Sequence, residues 1–135
     1  MEITLDLLKE LTQSEEMMWV IGGGQAVSEN HARGIKELEV SKGWATIEAD
    51  NWHFHLSLEL VDGIQFVEAK SHGDIKSYYV RLSKGWEDTL VRCYFPNPYL
   101  DESEERTEFQ PAKLKTFEEM RDRYVGREGI VFVER

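Results

Sequence analysis

The sequence predicts an α+β fold in which an antiparallel β-meander is flanked by an N-terminal and a C-terminal helix. Apolar residues recur at helical spacing near both ends of the chain, around Leu7 and around Phe117. Between them, short β-rich runs alternate with turn residues, and Asp62-Gly63 is typical of a hairpin turn. A length of 135 residues fits one domain spanning 1–135.

Each predicted helix contains a threonine that is a candidate N-cap. Thr4 precedes the apolar series that runs through Leu11, and we expect this helix to end within 14–17. Thr116 precedes the second series and is expected to cap it. The second helix should turn three residues inward, Phe117, Met120 and Tyr124.

The predicted strands are runs of β-branched, aromatic and aliphatic residues. They are 18–21, 38–40, 44–48, 52–60, 64–70, 75–83, 89–95 and 130–133. Hairpin turns at Asp62-Gly63, His72-Gly73-Asp74 and Lys84-Gly85 predict the meander, and the polar stretch 28–34 is expected to be a connection. Pro96-Asn97-Pro98 should end the sheet because proline cannot donate a ladder hydrogen bond.

Composition narrows the possible partners. The net charge of −10 disfavours nucleic acid and anionic membrane surfaces as ligands, because both are negatively charged. No apolar run approaches the ~18 residues of a membrane span. The N-terminus lacks the basic and apolar regions of a signal peptide. The single cysteine, Cys93, excludes an internal disulfide, and a cytoplasmic location is expected.

The predicted strand 52–60 carries the residues with the most chemistry. Because side chains alternate along a strand, one face should enter the core. That face holds Phe54, Leu56, Leu58 and Leu60. The other face holds His53, His55, Ser57 and Glu59. This second face is either a solvated sheet surface or a ligand site in which an imidazole binds a metal or haem iron.

The spacing of His53, His55 and Glu59 is similar to the metal half-motif of cupins. Glu59 would lie roughly 13 Å along the strand from His55, too far for one ion unless the strand bends strongly. No second histidine-bearing strand is apparent, since His31 and His72 fall in predicted loops or turns. A cupin-like metal-binding protein therefore stays a minor alternative.

Three segments together resemble the cytoplasmic haem-utilisation carrier family (ChuX/HutX-like), over about 18–98. They are the glycine-aromatic run 43–47, the step from His55-Leu56 to the strand 63–70, and the hairpin formed by 77–82 and 90–95. The resemblance implies a split-barrel-like set of strands with flanking helices, usually a homodimer, that binds haem in a cleft against the sheet. It places His55 at the position of the family's haem-associated histidine.

The resemblance also implies a pocket around His55, the candidate axial ligand of the haem iron. His53 is a possible neighbour. The candidate apolar walls are aromatic residues, Trp44, Trp52, Tyr78 and Tyr79. Arg81 and Arg92 could pair with the haem propionates, although cross-strand pairing with Glu59 or Glu68 explains them equally well.

The predicted function is therefore a haem-binding carrier of iron or haem utilisation. A carrier holds iron without acting chemically on it, so we expect no enzymatic activity. One alternative is a non-catalytic interaction module that has this fold but no ligand. It is suggested by the lack of a histidine near 38–41, where the family has its other histidine, and by the Pro96-Asn97-Pro98 corner.

Overall fold

The computed structural model of the protein describes residues 2–71, without the side chain of Ser71, and 73–135. The predicted turn residue His72 lies outside them. The helices are α1, Glu2–Leu11, and α2, Pro111–Tyr124. The strands are β1 Met18–Ile21, β2 Ser28–His31, β3 Glu39–Ser41, β4 Trp44–Glu48, β5 His53–Ser57, β6 Gly63–Ser71, β7 Ile75–Lys84, β8 Asp88–Tyr94 and β9 Val131–Glu134.

The strands form two sheets. The larger has six strands in the order β2-β1-β8-β7-β6-β9, and the smaller has the order β3-β4-β5. Strands β6, β7 and β8 pair antiparallel in succession, so the predicted meander is confirmed for these three. Strand β9 is parallel to β6, which makes the larger sheet mixed. Two helices with these sheets confirm the α+β class.

The predicted hairpin at Asp62-Gly63 is wrong. Strand β5 pairs with β4, and a 3-10 turn, Leu58–Leu60, carries the chain from the smaller sheet to the larger one. Asp62 serves the next hairpin instead. Its N–H donates to the carbonyl of Ser83 at 3.0 Å, and its carboxylate accepts from the N–H of Gly85. A sequence typical of one turn therefore stabilises another turn that is distant along the chain.

Both predicted helix starts are wrong, because the threonines lie inside the helices. Thr4 is buried in α1, which ends at Leu11, earlier than expected. Helix α2 begins at Pro111, whose fixed φ and missing N–H suit the first helical turn. Thr116 donates its hydroxyl to the carbonyl of Ala112 within the helix. The inward-facing residues of α2 are confirmed as buried, Phe117, Met120 and Tyr124.

The polar stretch that was expected to be a connection contains strand β2. It pairs antiparallel with β1 at the edge of the larger sheet, and most of its side chains are exposed. An edge strand with polar side chains on both faces has no hydrophobic alternation to reveal it, and its polarity discourages pairing with other chains. This explains why the pattern of the sequence did not predict it.

The register of the larger sheet separates a covered face from an opposite face. One cross-strand row on the covered face contains Trp19, Cys93, Val80, Phe66 and Phe132. Both helices and the smaller sheet pack against this face, since their apolar residues join the same core cluster. Cys93 is buried, and burial raises its pKa. The neighbouring row, on the opposite face, contains Val20, Arg92, Arg81, Gln65 and Val131.

Candidate functional site around His55

The smaller sheet presents an outward face that holds both histidines of strand β5. The register pairs Glu48 with His53, and Thr46 with His55. Both histidines are exposed, while Leu56, on the opposite, core-facing side of the strand, is 6% exposed. The predicted alternation is therefore confirmed within β5. It fails beyond the strand, where Leu60 is 44% exposed because the 3-10 turn breaks the period of two.

A tight turn fixes this arrangement locally. Lys42 and Gly43 connect β3 to β4 with φ of 52° and 83°, the left-handed pair of a type I′ hairpin turn. Glycine adopts that conformation without steric cost, which favours Gly43 there. The turn sets the register in which Trp44 begins β4 on the outward face, with half of its surface exposed.

The imidazole of His55 is anchored on one side. Its Nδ1 lies 2.8 Å from the hydroxyl oxygen of Thr46 on the paired strand. With the proton on Nδ1, that N–H donates to Thr46, and Nε2 keeps its lone pair for a metal. Ligating histidines in proteins are commonly oriented by such a bond from the second ring nitrogen. The ring of His53 lies beside it, with 5.4 Å between the ring centroids.

A carboxylate lies next to the histidines. Glu48 accepts a hydrogen bond from the ammonium of Lys36 at 2.8 Å, and this bond, more than any other contact, lowers the pKa of Glu48. Its pKa is lowered further by His53 and His55. The outward face therefore combines two imidazoles with a carboxylate that stays ionised at neutral pH.

An apolar groove opens beside His55, between β5 and the larger sheet. Its volume is about 210 Å³. The larger sheet contributes Ile21, Leu90 and Val91. The smaller sheet and the turn after it contribute Trp44, Phe54, His55, Leu56, Ser57 and Leu60. His55 therefore belongs to two surfaces. It lies on the outward face of the smaller sheet, and it also lines the apolar groove.

A β-bulge shapes the wall of the groove. Leu82 pairs with Val91, but the next residue, Ser83, pairs with Thr89, so Leu90 is the extra residue of β8. A bulge redirects side chains that would otherwise alternate. Consecutive residues Leu90 and Val91 consequently both line the groove. Sequence reasoning missed this wall because a bulge has no signature in the alternation of strand 89–95.

The structure does not bring the predicted arginines to the groove. Arg81 is 5% exposed on the opposite face of the larger sheet. It donates to the hydroxyl of Thr89 at 2.6 Å, the carbonyl of Trp86 at 2.7 Å and the side-chain oxygen of Gln65 at 3.3 Å. Burial lowers its pKa from the ordinary value. Arg92 lies beside it in the same row.

The predicted aromatic walls are dispersed. Trp44 lines the groove, whereas Trp52 stacks on Phe54 and donates to the carbonyl of His31 at 2.6 Å. Tyr78 is buried against Phe117, and burial raises its pKa to about 12. Tyr79 lies on the opposite face, in the row next to Arg81. Of the eight predicted site residues, the groove therefore contains His55 and Trp44, with His53 adjacent on the outward face.

Known proteins show which family the chain belongs to and which fold it shares. A protein-family model matches residues 5–121 of the chain. The chain belongs to the family that this model describes. Comparison with curated proteins finds no match. Within the described residues, no helix is long and apolar enough to cross a membrane.

Two solved structures share the architecture. Protein AGR_C_4470 from Agrobacterium tumefaciens is 21% identical, with a TM-score of 0.70 over 92% of this chain and 68% of that one. ChuX is 6% identical, with a TM-score of 0.63 over 89% of this chain and 71% of that one. At these identities the likeness concerns the fold. The fold that the ChuX/HutX-like resemblance implied is therefore confirmed.

Proposed function

We propose that this protein is a haem carrier that binds haem at the groove beside β5, with His55 as the axial ligand of the iron. The supporting observation is an exposed imidazole, held by Thr46 at 2.8 Å, at the mouth of an apolar groove in a ChuX-like fold. The hydroxyl orients the ring, and the groove offers apolar surface to the macrocycle.

The size of the groove determines how a haem could fit. Pockets that enclose drug-sized ligands measure about 300–1,000 Å³, and this groove of about 210 Å³ is smaller. The groove is therefore large enough for one edge of a haem, and most of the haem surface would stay exposed to solvent. Such partial burial suits a carrier, because the cargo must leave for an acceptor.

The propionates need donors from outside the groove. None of the described residues that line it is a lysine or arginine. Lys36 is a cation beside the histidine face, since its ammonium lies 2.8 Å from the carboxylate of Glu48. We therefore assign the propionate role to Lys36, whose exposed ammonium donates one of its three N–H groups to Glu48. Arg81 is buried on the other side of the sheet, where Thr89, Gln65 and Trp86 accept its hydrogen bonds.

A haemin titration followed by the Soret absorbance tests this proposal. We expect His55→Ala to weaken binding at least about tenfold, since even the loss of a residue that orients a metal ligand costs 10–100-fold. His31→Ala is the matched control, because His31 is also an exposed strand histidine but lies on β2. An equal shift in wild type and His55→Ala would remove His55 from the role. The absence of any shift in wild type would favour the ligand-free interaction module.

We also propose a homodimer in which a second copy covers the rim of the groove. Trp44 and Leu60 line the groove, and they are 50% and 44% exposed. A second copy would remove this apolar surface from water, which stabilises the dimer. Light scattering of the full chain should give twice its mass of 15.8 kDa. Trp44→Ser should shift the protein toward the monomer, whereas Trp86→Ser, at an exposed tryptophan of the β7–β8 turn, should not. A monomeric mass at all concentrations would contradict the dimer.

We propose a cytoplasmic location as well. The supporting observation is that the single cysteine, Cys93, is buried and forms no disulfide. Thiols stay reduced in the cytoplasm, so a protein there needs no disulfide partner for its cysteine.

A further inference from the structure

We infer that His53 and His55 together chelate a divalent transition-metal ion on the outward face of the smaller sheet. This inference does not rest on haem binding, although both proposals use His55. It assigns to His53 a function that the haem site does not require.

The spacing of the two rings carries the inference. Their centroids are 5.4 Å apart, with an angle of 64° between the ring planes. Two imidazoles bound to one tetrahedral ion with metal–nitrogen distances of about 2.0–2.1 Å have ring centres roughly 5 Å apart. The rings therefore already stand at chelating distance.

The strand keeps this spacing without help from a ligand. Residues two apart on a strand point to the same face, so the backbone of β5 itself makes His53 and His55 neighbours. The bond with Thr46 restrains the ring of His55 through Nδ1 and does not involve Nε2. Pairing of Glu48 with His53 and of Thr46 with His55 fixes the backbone of both positions. A preorganised pair loses less conformational entropy when the ion binds.

The charge around the pair favours a cation. Glu48 pairs with His53, and Glu39 pairs with Thr46, so two acidic side chains lie on the same face as the imidazoles. Lys36 forms an ion pair with Glu48 and offsets one of these two negative charges, so the three residues together keep a net charge of −1. No group of three or more His, Cys, Asp or Glu side chains among the described residues is placed to hold a metal. The site is therefore a two-imidazole chelate, with water completing the coordination and Glu48 supplying negative charge.

The donor set selects the class of ion. Imidazole nitrogens suit zinc, copper and nickel, whereas magnesium and calcium prefer oxygen ligands. Affinity for nitrogen sites rises through nickel to copper. We therefore expect Ni²⁺ and Cu²⁺ to bind and Mg²⁺ not to bind.

Titration of the full, tag-free chain with Ni²⁺ alone, followed by calorimetry, tests the inference. We expect one ion per chain in wild type and at least about a tenfold loss of affinity in both His53→Ala and His55→Ala, by comparison with the cost of losing an orienting residue. His31→Ala should bind as wild type does. Near-ultraviolet circular dichroism of each variant verifies that the fold is kept.

Two results would overturn the chelate. One is the absence of Ni²⁺ binding in wild type, and the other is a His53→Ala variant that binds Ni²⁺ as tightly as wild type does. Haemin is absent from this titration, so its failure leaves the haem proposal untouched. Likewise, a failed haemin titration leaves the Ni²⁺ result standing.

Discussion

Replacing Phe117 with alanine should lower the free energy of unfolding by about 3–5 kcal/mol, the range typical of a buried phenylalanine. Phe117 is 1% exposed and lies where α2 meets the covered face of the larger sheet. Its ring packs against four others, Phe66, Tyr78, Phe95 and Phe132, at centroid distances of 5.9, 5.2, 5.2 and 6.5 Å. Truncation would leave a cavity among these four rings. They belong to β6, β7, β9 and the segment after β8, whose backbones are held by the sheet, so the rings cannot readily move in to fill it.

Urea unfolding of wild type and variant measures this loss, provided that the slope m is unchanged. Phe109→Ala is the matched control, because Phe109 is 44% exposed and contacts Tyr99 at a centroid distance of 5.3 Å. Its removal should cost less than about 1 kcal/mol, since little apolar surface leaves the core. Similar decreases in the free energy of unfolding of the two variants would show that the packing of Phe117 does not stabilise the contact between α2 and the sheet.

Much of the fold follows from local patterns. Strand β4 has the bounds that the sequence predicts, because Gly43 fixes a turn immediately before Trp44. The outward position of His53 and His55 follows from the period of two within β5. The meander of β6, β7 and β8 follows from short hairpins between β-rich runs. Each of these features depends on residues that are close together along the chain.

The remaining features depend on contacts between distant segments. The division into two sheets was not predicted, because Asp62-Gly63 has the composition of a hairpin turn but binds the backbone of Ser83 and Gly85. The groove likewise needs Ile21 and Leu90 from strands that the sequence does not connect to β5. Thr46 and Glu48 could have been found by extending the β4–β5 register from the predicted strands.

The arginines show why residue type alone did not locate the site. A strand arginine near an expected haem cleft is a reasonable partner for a propionate. The alternation along β7, however, places Arg81 on the face opposite to Val80 and Leu82, which face the core beneath the helices and the smaller sheet. The sequence predicted a strand there but could not show which face the smaller sheet would cover.

Arg81→Met should destabilise the protein by about 2–3 kcal/mol and leave haemin affinity unchanged. The guanidinium donates to Thr89, Gln65 and the carbonyl of Trp86, and so joins β6, β7, β8 and the β7–β8 turn. Methionine keeps the length of the side chain but leaves these acceptors without a donor in a buried place. The gain from no longer burying a charge offsets part of that loss.

Arg92→Met is the matched control, on the strand next to Arg81 and in the same cross-strand row. Arg92 donates to the hydroxyl of Tyr94 at 3.2 Å, and its Nε has no hydrogen-bond partner in the described part of the chain. We expect its replacement to cost less than about 1 kcal/mol, the value typical of one hydrogen bond. Urea unfolding measures both variants, and a smaller loss for Arg81→Met than for Arg92→Met would contradict the buried network.

The haemin titration of Arg81→Met then separates two roles that the sequence could not distinguish. An arginine that pairs with a propionate lowers ligand affinity when it is replaced, even where the variant is fully folded. An arginine that only joins strands lowers stability and leaves the affinity of the folded protein as it was. Because Arg81 lies across the sheet from His55 and the groove, the structure favours the second result. A weaker Soret titration in folded Arg81→Met would move the haem site to the opposite face of the larger sheet.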